Sequence, residues 1–514
     1  MTDTSNPPNN DFQQIRDELK IPRNFPSSVL AEAELASKRD PLEPEFSAQR
    51  NDLLSVPFVT IDPPGSRDLD QAFFIEQIRD GYAVRYAIAD VGFFVKRGGE
   101  IEQEAWRRGQ TLYSPDLKTP LYPPILSEGG ASLLPGVIRQ AIVFTFSLNS
   151  RAEVVSLDIA RALVRSRAQL NYPEVSEHLA REREQTGSGQ LAGQQWSASI
   201  SLLEVVGRKR QLLEAERGGV SLRIPSQQVQ RWTTAVSGYR LAFETASEVE
   251  EWNAQISLMT GMDAARTMIH HGIGLLRSLS KPRPDRLQAL HLTASALGVN
   301  WPSTLEYDDF VRSLDPQNPI HAVMLHQAAR VTGGARYVAF QGEAPQQAFH
   351  SAIAAFYAHV TAPLRRLADR YALDLLVALS TGMPPEPELI TAFSELPQVM
   401  AAADNVSRRL ESAIVDFAEA CILENRIGEI FDATVIALRS DGVVVQITDP
   451  PIRTLIPAAT FALPAQNEPA SLSNDGVTLN IGSAQISLGQ SLRLKLESAR
   501  PLDRSLLFSV ALGS

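Results

Sequence analysis

The chain has 514 residues, of which 44% are hydrophobic and 21% charged, a composition typical of a globular protein with a sizeable core. Its 48 basic and 59 acidic residues give a net charge of −11, which argues against a protein that grips nucleic acid through a uniformly basic surface. The single cysteine, Cys421, excludes an internal disulfide framework and any multi-cysteine zinc site.

Features of targeting and membrane insertion are missing from the sequence. The N-terminal run MTDTSNPPNNDFQ has neither the basic region nor the apolar region of a secretory signal. No run of apolar residues reaches the roughly 18 that a membrane-spanning helix requires. We therefore expect a soluble, cytoplasmic protein without membrane association, and nothing in the sequence suggests an obligate protein partner.

The predicted elements divide the chain into three parts and indicate an α+β fold. Residues 1–54 begin with a polar tail, up to about residue 12, and continue as a short helical leader around SSVLAEAELASKRD. Residues 55–426 begin with the β-rich runs PFVTID, YAVRYAIADV and IVFTFSLNS and become mainly helical further on. Long helices are predicted around 246–277, 283–299, 344–378 and 404–425.

Residues 427–514 are predicted to form a small barrel. Six short runs with strand character alternate there with turn residues: DATVIALRS, GVVVQIT, TLIPAA, VTLNI, SLRLKLESA and SLLFSV. Short strands at this spacing are typical of an OB-fold.

An acidic cluster lies in the run TIDPPGSRDLDQAF, which begins at Thr60. The Pro-Pro-Gly turn cannot be helical, so Asp62 is predicted as the last residue of a strand. Asp68 and Asp70 are two residues apart and point the same way if the chain is extended there. Three converging carboxylates suit magnesium, a hard cation that prefers oxygen ligands. Taken alone, the same pattern also fits a solvated acidic turn.

Four further blocks, in this order, give the cluster its context: YAIADV, EAWRRGQTLYSPDLKTPLYPPILSEGGASLLPGVIRQA, ALVRSRAQLNYPEV and FYAHVTAPLRRLADR. Together with the acidic run they resemble the catalytic domain of the ribonuclease II (RNB-domain) family of processive 3′→5′ exoribonucleases over roughly residues 55–425. The predicted barrel is similar to the OB-fold module of such enzymes. The resemblance implies hydrolysis of single-stranded RNA to nucleoside 5′-monophosphates with magnesium, or manganese in its place.

The resemblance also implies roles for individual acidic residues. Asp62 and Asp68 match metal ligands, and Asp70 matches the carboxylate on which turnover depends most. Gln71 stands where the family has a fourth aspartate; its carboxamide oxygen can still bind magnesium but brings no charge and cannot act as a base. A catalytic centre that has decayed is therefore the competing interpretation.

Four other residues match family positions that contact RNA. Arg365 matches the arginine at the scissile phosphate, a role that suits a planar fork with a permanent charge. Arg366 is predicted one step further along a helix, so it lines the RNA path or faces solvent. Tyr113 matches an aromatic residue that stacks on the terminal base, although a packed core tyrosine is the alternative. Glu411 matches an acidic residue near the 3′ end, with a surface ion pair to Arg408 as the alternative.

The negative net charge predicts that RNA is met inside a channel. The arginines expected there lie in or beside the family blocks: Arg107, Arg108, Arg139, Arg161, Arg165, Arg167, Arg365 and Arg366. The leader is too short for the two cold-shock-like barrels that precede the catalytic domain in typical members, which predicts a short form of the family.

The leading hypothesis is therefore a magnesium-dependent, hydrolytic 3′→5′ exoribonuclease that acts on single-stranded RNA. Two alternatives stay open. The first is a catalytically weakened protein that binds RNA and acts as a regulatory factor. The second is a phosphodiesterase specific for very short oligoribonucleotides.

Overall fold

The computed structural model describes residues 12–44, 50–184, 193–220, 226–231, 238–244, 246–315, 318–461, 470–473, 476–482 and 484–511. The strands of its first part are β1 (Asn51–Asp52), β2 (Val59–Asp62), β3 (Gln71–Ile78), β4 (Gly81–Ala89), β5 (Leu112–Tyr113), β6 (Lys118–Thr119), β7 (Ile138–Asn149), β8 (Val154–Arg165) and β9 (Ala168–Asn171). Seven of these described strands form one mixed sheet in the order β1-β8-β7-β4-β3-β2-β9, while β5 and β6 pair as a separate ribbon.

The centre of this sheet is an antiparallel run from β3 to β8, rich in the branched and aromatic residues that favour strands. Phe73, Tyr86 and Phe144 are buried in its core. At one end of the sheet, β2 stops at Asp62 and the chain turns through Gly65, whose φ of +84° suits glycine. The prediction that Asp62 ends a strand is confirmed.

Helices surround the sheet. They are α1 (Gln13–Glu18), α2 (Ser27–Ser37), α3 (Glu100–Arg108), α4 (Tyr172–Glu184), α5 (Ser197–Glu216), α6 (Glu248–His270), α7 (Pro284–Ala296), α8 (Tyr307–Ser313), α9 (Pro319–Val331), α10 (Leu367–Ser380) and α11 (Pro387–Leu423). None of the described helices is long and apolar enough to cross a membrane.

The predicted leader helix is confirmed by α2, and the helix predicted around 283–299 by α7. The tail prediction concerns mainly residues 1–11, which lie outside the described residues. Phe12, at the end of that predicted tail, is buried against Tyr239 and Phe417. Phe12, which the sequence predicts to be part of the polar tail, therefore packs into the core instead.

Two predicted helices are wrong over part of their length. The segment 246–277 leaves the helix after His270, turns at Gly272 and becomes the strand β12 (Ile273–Ser278). Its apolar residues pair with β13 (Arg336–Gln341), a long-range contact that the local pattern does not reveal. The segment 344–378 is helical only from Leu367, because Pro345 and Pro363 interrupt it. The helix predicted at 404–425 is real but begins earlier, at Pro387.

The remaining strands are β10 (Ser226–Arg231), β11 (Tyr239–Glu244), β14 (Ile430–Arg439), β15 (Gly442–Ile447), β16 (Arg453–Pro457), β17 (Ser471–Leu472), β18 (Thr478–Ile481), β19 (Ala484–Ser487), β20 (Ser491–Arg500) and β21 (Ser505–Val510). Each of the six predicted C-terminal runs contains one of them. The described strands order as β16-β15-β14-β20-β21, and contact between β16 and β21 curls this sheet towards closure. Buried Phe431, Val443 and Leu494 fill it, as the barrel prediction requires. The division of the chain after residues 54 and 426 stays a prediction.

Candidate active site

A polar cavity of about 510 Å³ opens where β2 ends and β3 begins. The turn that precedes α10 forms its opposite wall. Seven of the eight residues singled out from the sequence line it: Asp62, Asp68, Asp70, Gln71, Tyr113, Arg365 and Arg366. The fold therefore brings the acidic run and the late arginine block together, although most of the domain separates them in sequence.

Asp62 carries a carboxylate oxygen without a partner. The strand β2 pairs in parallel with β9, which fixes Asp62 beside Asn171 at the end of both strands. Its Oδ2 is buried and has no hydrogen-bond donor in the described part of the chain. Burial raises the pKa of Asp62 to about 6, against the lowering effect of Arg365. A cation bound next to Asp62 would offset the cost of burying its negative charge.

Asp70 is buried and held from the opposite wall. Its Oδ1 accepts the backbone N–H of Leu364 at 2.7 Å, and its Oδ2 lies 3.3 Å from Nε of Arg365. Burial still raises the pKa of Asp70 to about 7, although Arg365 and the Leu364 N–H act in the opposite direction. The carboxylate and the guanidinium thus form a fixed pair inside the cavity.

Asp68 is bound by a lysine that sequence reasoning missed. Lys118 Nζ lies 3.0 Å from Asp68 Oδ1 and 2.5 Å from Glu128 Oε1. Burial acts against the charge on Lys118, but its hydrogen bonds to Glu128 and Asp68 outweigh burial and raise its pKa. Lys118 lies within one of the family-like blocks, yet nothing local indicates that it reaches the acidic run.

Gln71 opens β3 and ties the sheet to the facing turn. Its Nε2 donates a hydrogen bond to the backbone carbonyl of Thr361. This contact leaves the carboxamide oxygen as the atom that can serve as a ligand. An aspartate at this position would lack the donor that holds Thr361.

The turn before α10 corrects the predicted relation between Arg365 and Arg366. Both residues precede the helix, and Arg366 has extended backbone with φ −131°. Arg366 donates from Nε and Nη2 to the two carboxylate oxygens of buried Asp369, at 2.9 and 2.8 Å. Arg365 has a side chain that is 46% exposed and only its Nε lies near Asp70, so its fork has room for a ligand. Arg366 is therefore bound to Asp369 through two hydrogen bonds, whereas Arg365 keeps terminal N–H groups available to a ligand.

Tyr113 and Glu411 differ in their relation to the cavity. Tyr113 is 50% exposed, so the alternative of a packed core residue is wrong, and its hydroxyl donates to Asp68 Oδ2 at 3.4 Å. Glu411 is exposed on α11, accepts a hydrogen bond from Ser407 at 3.0 Å and does not line the cavity. Arg408 bonds instead to the Asp404 carbonyl, which differs from the predicted ion pair.

Several arginines expected in an RNA channel bind protein groups instead. Arg108 pairs with Glu104, Arg139 donates to three backbone carbonyls, Arg161 pairs with Asp90 and Asp374, and Arg167 donates to the Leu54 carbonyl. These contacts use much of the hydrogen-bonding capacity of the four arginines within the fold. An arginine-lined RNA channel stays a prediction.

The donor set suits a divalent cation in its chemistry. Carboxylate and carboxamide oxygens around one polar cavity are the ligands that a hard cation prefers, and the buried Oδ2 of Asp62 has no hydrogen-bond partner within the described segments. Among the described residues, no group of three or more His, Cys, Asp or Glu side chains is arranged to hold a metal ion. Two of the three aspartates are paired with Lys118 and Arg365 instead. The chemistry of these residues fits a divalent cation, whereas the present pairing of Asp68 with Lys118 does not.

Comparison with known proteins identifies the fold. Ribonuclease R of Vibrio parahaemolyticus is 24% identical over 472 residues, covering 86% of this chain and 54% of that protein. The chain thus spans about half the length of the curated relatives it matches. Among solved structures, Mycoplasma genitalium RNase R in complex with ribose-methylated single-stranded RNA has a TM-score of 0.84 at 21% identity, covering 98% of this chain and 78% of that one.

A second structural neighbour is described as a pseudonuclease. Yeast Ssd1, a pseudonuclease, has a TM-score of 0.65 at 16% identity, covering 85% of this chain and 53% of that one. At these identities both neighbours establish the fold alone, which is the predicted α+β catalytic domain followed by an OB-like barrel. The RNB domain model matches residues 50–382, more than half of the sequence. The chain therefore belongs to the RNB domain family.

Proposed function

We propose that this protein is a hydrolytic 3′→5′ exoribonuclease that degrades single-stranded RNA to nucleoside 5′-monophosphates and depends on magnesium, with manganese as a substitute. The observation that carries the proposal is the Asp70–Arg365 pair, set in one cavity with Asp62 and Asp68. Family membership and the RNA bound to a structural neighbour support it. The 3′→5′ direction rests on the family resemblance, and a cytoplasmic location stays a prediction.

Different residues of the cavity can bind the metal ion and the scissile phosphate. Asp62 and Asp68, with the carboxamide oxygen of Gln71, would hold the cation. When bound, a divalent cation supplies Lewis-acid activation of the phosphodiester and of the attacking water. Arg365 offers its fork to the scissile phosphate and keeps its charge as negative charge develops there.

Asp70 and Tyr113 position these groups. Asp70 orients Arg365 from a buried position and is itself fixed by the Leu364 N–H. Tyr113 presents a half-exposed ring at the same cavity, where stacking on a base contributes about 1–3 kcal/mol. Stacking of this kind does not depend on base identity, which suits an enzyme that removes successive nucleotides.

A weakened RNA-binding protein is the second candidate. Gln71 supports it, because the cavity has one carboxylate fewer than the family pattern, and a protein with this fold is described as a pseudonuclease. The two candidates differ in one measurable respect, which is whether RNA is shortened.

A labelled-RNA assay separates the candidates. Single-stranded poly(A) labelled at its 5′ end is incubated with the protein in magnesium, in manganese or in EDTA. We expect a one-nucleotide ladder that EDTA and Asp70→Asn abolish. Asp80→Asn makes the same chemical change at an exposed turn of the same sheet and should leave the ladder intact. Binding without cleavage in either metal would favour the regulatory protein, and cleavage of only very short oligoribonucleotides would favour the phosphodiesterase.

A further inference from the structure

A second cavity, of about 550 Å³, lies between the beginning of β8, the end of α5 and the second half of α6. Three arginines line it together with two carboxylates and an apolar wall. The lining residues that carry its chemistry are Arg210, Arg217, Arg266, Glu153, Asp263 and Phe356. The proposed exoribonuclease reaction uses none of them.

Arg210 is the most deeply buried of the three arginines, with 6% of its surface exposed. One of its terminal nitrogens donates to the Ala152 carbonyl at 3.1 Å. Its Nε is buried without a hydrogen-bond partner in the described part of the chain. Burial lowers the pKa of Arg210 to about 10, and neighbouring Arg217 adds to this effect. A buried guanidinium in this state is costly unless a ligand supplies the missing contacts.

Arg217 repeats the pattern directly after the end of α5. Its Nε donates to the Ile353 carbonyl at 2.8 Å, while its Nη2 is buried without a hydrogen-bond partner among the described residues. Burial lowers the pKa of this arginine too. Arg210 and Arg217 therefore line the same space, and each makes only one hydrogen bond to the described part of the chain.

The two carboxylates of the cavity have direct partners other than Arg210 and Arg217, although both attract Arg210 electrostatically. Asp263 pairs with Arg266, three residues along α6. Glu153 accepts a hydrogen bond from Asn149 at 2.6 Å and faces Arg151 at 3.6 Å. Neither makes a direct ion pair with Arg210 or Arg217, so these two arginines form the electropositive part of the wall.

The second cavity is separated from the candidate active site by one close packing contact. The segment 355–358 lies directly on α6 at Gly261, where an added Cβ would come within 2.1 Å of the Tyr357 ring. Ala358 also donates its N–H to the Gly261 carbonyl at 3.0 Å. Tyr357 lines the active-site cavity and Phe356 the second one. The two spaces are neighbours on opposite sides of the same wall.

We infer that the second cavity binds a phosphate-bearing anion of nucleotide size. Arginine forks with unsatisfied N–H groups match phosphate oxygens, and guanidinium–phosphate hydrogen bonds are among the stronger ones in proteins. The volume falls within the range of small-molecule sites. Leu213, Met262 and Phe356 offer apolar surface to a ring attached to the phosphate. The inference does not depend on the proposed catalytic function.

Titration calorimetry on the full chain tests the site. Adenosine 5′-monophosphate, inorganic phosphate and adenosine are the probes, and EDTA keeps divalent metal out of the active site. We expect saturable binding of the monophosphate, competition by phosphate and none by adenosine. Arg210→Met and Arg217→Met should each weaken binding by about tenfold or more. Arg181→Met, at an exposed arginine of α4, is the matched control and should change the affinity less than about twofold.

Two further measurements separate this site from the active site and from a purely structural role. Binding should persist in Arg365→Met; loss there with retention in Arg210→Met would overturn the inference. Without ligand, Arg210→Met should melt at the same or a higher temperature than the parent chain, because it removes a buried charge that has no ion-pair partner among the residues that the structure describes. A lower melting temperature together with unchanged binding would show that Arg210 only supports the fold. Adenosine binding as tightly as its monophosphate would also overturn the inference.

Discussion

The Oδ2 atom of Asp70 lies 3.3 Å from Nε of Arg365, although one residue precedes the third strand of the sheet and the other precedes a helix near the end of the matched domain. The backbone N–H of Leu364 holds the other carboxylate oxygen at 2.7 Å. These contacts exist only because the fold brings the segment of Asp70 and the segment of Arg365 together. The pair links the strand end that carries Asp70 to the turn that carries Arg365.

Arg365 and Arg366 should respond differently to the same substitution. We expect Arg365→Met to lower the turnover of single-stranded RNA about a hundredfold, because its partly exposed fork donates hydrogen bonds to the phosphate, and to cost less stability than Arg366→Met, because only its Nε contacts Asp70. Arg366→Met should instead lower stability by about 3 kcal/mol, because it leaves buried Asp369 without its bidentate partner. Single-turnover kinetics and calorimetric melting of both variants check this. Equal losses of stability in the two would contradict it.

Gln71→Asp should strengthen metal binding and weaken the metal-free protein. The new carboxylate adds charge beside Asp70 but loses the amide donor that holds the Thr361 carbonyl. We expect manganese affinity to rise by about tenfold and the melting temperature without metal to fall. Gln77→Asp, at an exposed position on the same strand, is the control. Unchanged manganese affinity by calorimetry would show that residue 71 does not reach the cation.

Lys118→Met should release Asp68 for the cation. The lysine now neutralises that carboxylate at 3.0 Å and competes with any metal for it. We expect manganese affinity to rise by at least about tenfold, since a unit charge about 4 Å away contributes about 4 kcal/mol of repulsion at an effective dielectric constant of 20, and solvent screening removes only part of it. Lys96→Met, at an exposed lysine, should have no effect. Weaker manganese binding would mean that Lys118 orients Asp68 rather than competing for it.

Glu419 should make stability depend on pH. It is buried on α11, accepts a hydrogen bond from Gln227 at 3.1 Å, and burial raises its pKa to about 7. Its protonated form is therefore favoured in the folded state, and the stabilisation present at low pH is lost as pH rises from about 4.5 through 7. The loss is on the order of 3 kcal/mol.

Glu419→Gln keeps the shape of this side chain and removes its titration. The stabilities of the two proteins should be similar near pH 4.5, should diverge as pH rises to about 7, and should differ by a constant amount above that, with the variant the more stable. Parallel curves over this whole range would refute a raised pKa at this position.

The predictions from the sequence are confirmed where neighbouring residues alone determine the secondary structure. The C-terminal strands follow from short apolar runs between turn residues, and Asp62 as a strand end follows from the Pro-Pro-Gly turn. For these strands and for Asp62, a few neighbouring residues determine the structure. The seven predicted residues that line the cavity came from the family resemblance and not from local pattern.

Pairings across long sequence distances could not be predicted. The apolar run at β12 is compatible with helix or strand, and only its partner β13 decides between them. Lys118 contacts Asp68 from a separate ribbon, so its role depends on how β5 and β6 pack against the acidic run. The local pattern predicts Arg366 within a helix, whereas the turn that follows Pro363 places it before the first helical residue, Leu367.

The turn that carries Arg365 is held along its length by three hydrogen bonds that do not involve the guanidinium group of Arg365. Gln71 holds the Thr361 carbonyl, Asp369 accepts the Ala362 N–H at 2.8 Å, and the Thr111 N–H donates to the Arg365 carbonyl at 2.9 Å. The arginine is thus set in place before any nucleic acid arrives, which lowers the entropic cost of binding. A genetic screen for inactive variants should accordingly recover substitutions at positions remote from the substrate, in proteins that still fold and still carry every ligand-contacting side chain.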